Sequence, residues 1–255
     1  MNYYNPQRNI LTRLFTLEYT YLFDHILPVF CHHKLPIPLG GTSNFFRTHV
    51  LQEIGGWDPY NVTEDADIGL RLFDAGYKVT MLQSTTWEEA TPTLKGWVRQ
   101  RSRWIKGYIQ TWLVHSRHTD TSLKSGKFWR KQLTLQLVVA AVIVSALINP
   151  LFWGLYGLWL ADVTSVGATF FPGPLGYLAL ASFLGGKLLL IYLHMIAPLS
   201  RRWLHHALYA LLLPLYWLLQ SIAGYMALWQ LFRKPFYWEK TQHNPDTEIP
   251  SDASH

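Results

Sequence analysis

Residues 133–160 read LTLQLVVAAVIVSALINPLFWGLYGLWL, an apolar run without a single Asp, Glu, Lys or Arg. A helix needs about 20 apolar residues to cross the hydrocarbon core of a bilayer. The apolar stretches at residues 175–198 and 207–232 are long enough as well. We therefore predict an all-α transmembrane bundle with helices near residues 133–160, 175–198 and 207–232.

The residues before this run have a different composition. Up to about residue 131, charged residues mix with apolar ones as in a soluble domain, so the overall contents of 49% hydrophobic and 15% charged residues average two unlike halves. Residues 95–131 carry a run of Lys and Arg that only Asp120 interrupts. A basic segment directly before a membrane helix is typical of its cytoplasmic flank, which favours the lipid bilayer over nucleic acid as a partner. We predict a multi-pass membrane protein with residues 1–131 in the cytoplasm.

The charges around the three apolar stretches do not fit three simple crossings. Lys124–Lys131, Arg201-Arg202 and Arg233-Lys234 all favour the cytoplasm, yet three crossings would place the last group outside. Either the first stretch, which contains Asn149-Pro150, makes two short passes, or one stretch is re-entrant or interfacial. Lys187 lies inside the second stretch and must face a protein interior or a polar cavity, or extend to the surface.

Local patterns predict the elements of the N-terminal half. Helical spacing of apolar residues predicts an amphipathic helix over residues 9–29 that ends at Pro28. Leu35–Leu39 contains two prolines and is expected to be extended. Further patterns predict a helix over residues 47–54, a helix capped by Thr63 and stopped by Gly76, a strand over Tyr77–Leu82, and a long basic helix from Leu94 to about His115.

Asp65 is the candidate general base. It lies in the segment Thr63-Glu64-Asp65-Ala66-Asp67, in the first turn of a helix, where backbone N–H groups favour an ionised carboxylate. Acidic residues in a first turn are also ordinary partners of the helix dipole. Asp65-Ala66-Asp67 further resembles an Asp-x-Asp metal motif, which we disfavour because that motif follows a buried strand and this one follows Tyr60-Asn61-Val62-Thr63.

Gln100, Arg103 and Trp104 are candidates for binding a nucleotide diphosphate. They are spaced i, i+3 and i+4, so they share one face of a helix. Arg103 can bind a phosphate through two nitrogens, Gln100 can hydrogen-bond to it or to an acceptor, and Trp104 offers a flat face to a sugar. The alternative is a basic helix that lies on the membrane with its tryptophans at the interface. Arg101, on another face, is expected to be replaceable by lysine.

Gly40-Gly41-Thr42-Ser43-Asn44 is a candidate ligand-binding turn, because the glycines let the backbone approach a ligand and the short polar side chains supply hydrogen bonds. Cys31-His32-His33 could suggest a metal, but no second cluster lies at ligand spacing. We assign these three residues a structural or surface role. A single cysteine also excludes an internal disulfide framework.

The order of these features resembles membrane-bound family 2 glycosyltransferases of the cellulose-synthase-like, processive type. A Gly-Thr-Ser-Asn turn, a Thr-Glu-Asp segment and a Gln-x-x-Arg-Trp helix precede transmembrane helices in that family. The resemblance implies an α/β fold, the C-terminal portion of a GT-A-type domain, with Asp65 as the general base and Gln100, Arg103 and Trp104 at the nucleotide diphosphate. It implies that the acceptor is bound by Gly41, Thr42, Ser43, Asn44 and Glu64. The segment Phe236–Thr241 resembles the family's cleft-closing segment.

The resemblance covers residues 35–241, and it implies a domain organisation. Residues 1–131 are expected to form the acceptor-side part of the cytosolic domain, and residues 132–241 the transmembrane helices with a C-terminal cytosolic or interfacial motif. Residues 242–255 are polar and expected to be a disordered tail. For a protein of this type a bacterial inner membrane is the expected location.

The family's donor-side half is not recognisable in the sequence. A family member begins with a nucleotide-binding α/β half that carries an early Asp and a metal-binding Asp-x-Asp, whereas Asp24 is the only Asp before Asp58. The resemblance implies a nucleotide-sugar donor, UDP-linked, and a divalent cation, Mg²⁺ or Mn²⁺, whose ligands are not expected in this chain. We expect a truncated glycosyltransferase, inactive alone and completed by a separate N-terminal half, that extends a polysaccharide or glycan. The alternative is an inactive membrane remnant that serves as an interaction or assembly module.

Overall fold

The computed structural model describes residues 1–117, 126–161 and 173–237. Nearly all of the regular structure in these ranges is helical. The main elements are β1 (Asn2–Tyr3), α1 (Ile10–Tyr21), α2 (Leu27–His32), α3 (Thr48–Glu53), α4 (Glu64–Asp74), β2 (Trp87–Glu88), α5 (Leu94–Arg117), α6 (Gly126–Thr134), α7 (Ala141–Leu160), α8 (Pro174–Ile196), α9 (Leu204–Ala207) and α10 (Leu213–Arg233).

The first long helix does not end at Pro28, so that prediction is wrong. After α1 the chain continues through a π-helical turn, Leu22–Ile26, directly into α2, which reaches His32. Pro28 lies in the first turn of α2, where a proline is tolerated because its missing N–H has no intrahelical partner to lose. α1 itself begins with a reciprocal cap, because the Asn9 side chain accepts from the Thr12 N–H at 3.0 Å and the Thr12 hydroxyl accepts from the Asn9 N–H.

Glycine residues explain how closely α4 packs against the extended segment and where this helix ends. A side chain at Gly69 would overlap the carbonyl group of Ile37, so only glycine lets α4 approach the segment Leu35–Leu39. The predicted end of α4 is confirmed, since the helix stops at Asp74 and Gly76 follows with a φ of +90°. α4 is thereby fixed beside the chain that leads into the turn at Gly40.

The expected α/β character is limited to one pair of very short strands. β1 and β2 pair in parallel, with Asn2 opposite Trp87 and Tyr3 opposite Glu88. The strand predicted over Tyr77–Leu82 is wrong, because these residues form no regular structure. Their alternating pattern lies at the surface, and no neighbouring strand among the described residues offers hydrogen bonds to stabilise it.

The predicted apolar helices are confirmed. Three helical segments are long and apolar enough to cross a membrane: residues 126–159, 174–201 and 204–233. α7 continues through Pro150 without a break. Lys187 on α8 donates to the Asn149 side-chain oxygen on α7 at 2.6 Å, and its ammonium lies 4.4 Å from the ring centre of Trp217 on α10.

α10 contacts the N-terminal half at both of its ends. Near its start, the Tyr216 hydroxyl accepts hydrogen bonds from Trp97 at 3.2 Å and Arg101 at 3.0 Å, both on α5. Directly after its end, the Lys234 carbonyl accepts from Lys106, again on α5. α10 therefore lies along α5, which carries most of the candidate diphosphate-binding residues.

Candidate active site

The Gly40-Gly41 turn meets the candidate base. A Cβ atom at Gly41 would lie 3.2 Å from the Asp65 carboxylate, so the turn passes directly beside this side chain. The turn is held by its own polar groups: Asn44 donates to the Gly40 carbonyl, and the Ser43 hydroxyl accepts from Thr86 at 2.7 Å. The structure thus joins two motifs that lie more than 20 residues apart in the sequence.

Asp65 lies in an environment that disfavours its charge. It is half-buried, and this burial raises the pKa of its carboxyl from the ordinary value of 3.8 to about 6. The Ala66 N–H donates to the carboxylate at 2.8 Å and lowers the pKa, but by less than burial raises it. The expectation that the helix start favours the ionised form is therefore outweighed by desolvation. A carboxyl with a pKa near 6 is suited to accept a proton near neutral pH.

Arg103 lies on the side of α5 that faces these carboxylates. Burial lowers the pKa of its guanidinium, and the negative charges of Asp65 and Glu64 oppose that shift. In return, the positive charge of Arg103 lowers the pKa of Asp65. The candidate base and a fixed positive charge therefore belong to one site, contributed by the start of α4 and the middle of α5.

The side chains of Gln100 and Trp104 are more buried than expected for a basic helix that lies on the membrane surface. Gln100 is buried, and its side-chain oxygen accepts from the Thr91 hydroxyl at 3.0 Å. The Trp104 ring stacks on Phe15 with centroids 6.1 Å apart and also contacts Tyr19 of α1. Trp104 therefore packs between α1 and α5, next to the half-buried Arg103, whereas Gln100 is held by the chain that leads into α5.

The expectation that Arg101 is replaceable by lysine conflicts with its surroundings. Its side chain is buried, both terminal nitrogens bind the Glu18 carboxylate, and the guanidinium lies 4.6 Å from the Phe15 ring centre. Glu18 also accepts from Tyr216 at 2.7 Å. Arg101 thus joins α1, α5 and α10, a role that needs the planar two-nitrogen geometry of arginine. Because Arg101 and Arg103 are two residues apart, the sequence indicates that they lie on different faces of α5. It does not indicate that the face of Arg101 is the buried one.

The sequence analysis missed a second charged cluster on α4. Asp67 is 3% exposed, and its carboxylate accepts from Arg71 at 2.7 Å and from His115 of α5 at 2.8 Å. Burial alone would raise the pKa of Asp67, but the hydrogen bonds from His115 and Arg71 outweigh it and lower that pKa. Arg71 also donates to the carbonyls of Ile54 and Gly56. The i, i+4 spacing of Asp67 and Arg71 was a readable signal, whereas His115, 48 residues away, gave none.

With this geometry established, the chain can be compared with known proteins. The family model described as glycosyl transferase family group 2 matches residues 1–233. The chain belongs to this glycosyltransferase family. The resemblance stated from the Gly-Thr-Ser-Asn, Thr-Glu-Asp and Gln-x-x-Arg-Trp motifs is thereby confirmed.

Individual relatives match shorter segments. The chain is 35% identical over 68 residues to a probable glycosyltransferase, YdaM, of Bacillus subtilis (26% of this chain, 16% of the relative). It is 32% identical over 99 residues to a beta-monoglucosyldiacylglycerol synthase of Synechocystis (38% and 20%). It is 33% identical over 88 residues to a UDP-forming cellulose synthase 1 catalytic subunit of Komagataeibacter xylinus (34% and 12%). The matched segments thus span a fifth or less of these relatives, and no solved structure gives a significant match.

Members of this family generally use a divalent cation, so its ligands were sought in the fold. Within residues 1–117, 126–161 and 173–237, no three His, Cys, Asp or Glu side chains gather as a cation site. The oxygens of Asp67 are bonded to Arg71 and His115, and His32 and His33 are exposed with their rings against each other. The described residues therefore do not fit a bound cation.

Proposed function

We propose that this chain supplies the acceptor side of a membrane glycosyltransferase that moves a sugar from a UDP-linked donor to a hydroxyl of a growing polysaccharide or other glycan. One observation carries the proposal: Asp65, with a pKa near 6, lies directly beside the Gly41 turn and within electrostatic reach of the positive charge of Arg103. A base next to a cation is what transfer from a nucleotide diphosphate to a hydroxyl requires.

The proposed reaction needs one proton transfer and one displacement. The Asp65 carboxylate accepts the proton of the acceptor hydroxyl as its oxygen forms a bond to the anomeric carbon. The bond from that carbon to the donor diphosphate breaks, and the diphosphate leaves with the bonding electrons. Arg103 stabilises the departing charge through two nitrogens, while Gln100 and Trp104 meet the diphosphate and the acceptor.

The acceptor is proposed to lie along the exposed turn. The turn passes directly beside Asp65 at Gly41, and the exposed side chains of Thr42, Ser43 and Asn44 that follow offer hydrogen bonds to sugar hydroxyl groups. Glu64 precedes the base and is half-buried, within reach of the same space. These residues hold the acceptor, and Asp65 activates it.

We further propose that residues 1–131 form the C-terminal portion of a GT-A-type domain in the cytoplasm, and that residues 132–241 anchor it in the membrane, a bacterial inner membrane by resemblance. Both ends of α10 contact α5, through Tyr216 and through Lys234. This supports an interfacial third segment, with Arg233 and Lys234 on the same side as the active site. Residues 242–255 and most of Phe236–Thr241 lie outside the described residues.

We propose that a separate nucleotide-binding half, in which the cation and the uridine are held, completes the enzyme. One relative is a UDP-forming cellulose synthase catalytic subunit, which supports a uridine-linked donor and a half of the enzyme that binds it. The test is sugar transfer in membranes that contain this chain, UDP-sugars and Mg²⁺, with and without a co-expressed nucleotide-binding half of a relative. Transfer that needs Asp65 supports the proposal. Binding of the half without any transfer would favour the inactive remnant that acts as an assembly module.

The interfacial placement has its own test. Single cysteines in place of Ser43 and Phe236, in a chain with Cys31→Ser, should both react with a membrane-impermeant maleimide added to inverted membrane vesicles, and neither should react in intact cells. Labelling of the two positions from opposite sides would show that α10 crosses the membrane.

A further inference from the structure

Lys106 is a fully buried lysine on α5, just after Trp104. It is 0% exposed, and its ammonium donates to the Tyr237 carbonyl at 2.6 Å and the Lys234 carbonyl at 3.4 Å. Both carbonyls follow the C-terminal end of α10, where the helix dipole favours a positive charge. A buried ammonium is costly unless such acceptors surround it, so Lys106 ties the chain that leaves α10 to α5.

Gln110, one helical turn further along α5, holds the same chain and a second one. Its side-chain nitrogen donates to the Pro235 carbonyl at 3.1 Å. Its side-chain oxygen accepts from the Val62 N–H at 3.2 Å, in the loop that leads to the candidate base. One amide therefore bridges the segment after α10 to the loop before α4.

Two further contacts involve the loop that precedes α4. The Tyr60 ring meets the Phe236 ring edge to face, with centroids 5.6 Å apart. A side chain at Gly107 would overlap Thr63, so α5 lies directly against the residue that precedes Glu64. The loop before Asp65 is thus packed between α5 and the segment that leaves α10.

We propose that Lys106, Gln110 and Tyr60 form a clasp that holds Lys234–Tyr237 against the loop of the general base. They are positioning residues, because they act through this segment and not on the reacting atoms. The clasp couples the place of Asp65 to the chain that continues into residues 238–241. The effect of the clasp on catalysis rests on the proposed function. The contacts that form the clasp do not depend on that function.

Hydrogen exchange of the full chain in lipid nanodiscs tests the clasp without requiring activity. Gln110→Leu removes the acceptor of the Val62 N–H, and Lys106→Met removes the ammonium while retaining the length of the side chain. We expect exchange at Val62 in the first variant to accelerate about tenfold or more, because its N–H loses its acceptor. The Tyr237 N–H donates to the Lys234 carbonyl at 3.2 Å, so its exchange should accelerate in both variants, because each frees the turn that contains this bond. Lys95→Met, an exposed lysine on the same helix, is the matched control and should change neither amide.

Unchanged exchange at Val62 and Tyr237 in the two clasp variants would overturn the proposal. If Lys106→Met does not fold, Gln110→Leu and Phe236→Ala carry the test, because Gln110 is only half-buried and Phe236 is 63% exposed. In a transferring preparation, Gln110→Leu should lower kcat/KM and Lys95→Met should not. Faster exchange in the clasp variants, together with no sugar transfer in membranes that also contain a nucleotide-binding half, would support the clasp and count against the proposed function.

Discussion

Asp65 and Asp67 lie two residues apart on α4 and have opposite environments. Asp65 is half-buried beside the Gly41 turn, and burial raises its pKa to about 6. Asp67 is more deeply buried, but hydrogen bonds from His115 and Arg71 hold its pKa below the ordinary value. The difference shows that burial raises the pKa of a carboxyl group only where hydrogen bonds and charges around it do not outweigh desolvation. The hydrogen bonds of Asp67 stabilise α4, the helix that carries Asp65.

The largest expected effect is the loss of activity in Asp65→Asn. Because the amide cannot accept the hydroxyl proton, sugar transfer should fall about 10²–10⁴-fold. Radiolabelled sugar incorporation in the completed enzyme measures the effect, and UDP binding by calorimetry should be nearly unchanged. An Asp65→Asn enzyme with ordinary turnover would mean that another group is the base.

Asp67→Asn should affect stability first. The change removes the negative charge between Arg71 and His115 in a buried site, which we expect to lower the free energy of unfolding by about 2–3 kcal/mol. Denaturant unfolding followed by tryptophan fluorescence checks this, with Glu53→Gln, an exposed carboxylate at the end of α3, as the control. A variant with normal stability and no activity would assign Asp67 to the reaction instead.

The same contrast explains which features could be predicted from the sequence and which could not. The motif spacings of Gly41, Asp65 and Arg103 and the long apolar runs were readable, because helical periodicity and ligand chemistry are local properties. The pairing of Asp67 with His115, and of Arg101 with Glu18, depends on which helix faces meet, and no local pattern encodes that. Pro28 and Tyr77–Leu82 were misread for a related reason: a π-helical turn and a missing partner strand decide their structure.

A smaller effect is expected when one charged group is replaced by another of the same sign but a different shape. Arg103→Lys keeps the positive charge and loses the two-nitrogen contact to a diphosphate, so kcat/KM should fall about tenfold or more. Arg99→Lys, on the exposed side of α5, should leave kcat/KM unchanged. Equal behaviour of the two variants in the transfer assay would indicate that this helix binds lipid headgroups and not the nucleotide.

The pH dependence of kcat/KM tests the central claim, that Asp65 is a base whose pKa is raised by burial and lowered in part by its neighbours, the Ala66 N–H first and Arg103 among them. The base works when ionised, so the rate should rise about tenfold per pH unit in acid and level off near a pKa of about 6. Because the Arg103 charge lowers that pKa, Arg103→Met should move the acid limb to higher pH. The account predicts this limb and this shift; a limb near pH 4, or one that Arg103→Met does not move, would contradict it.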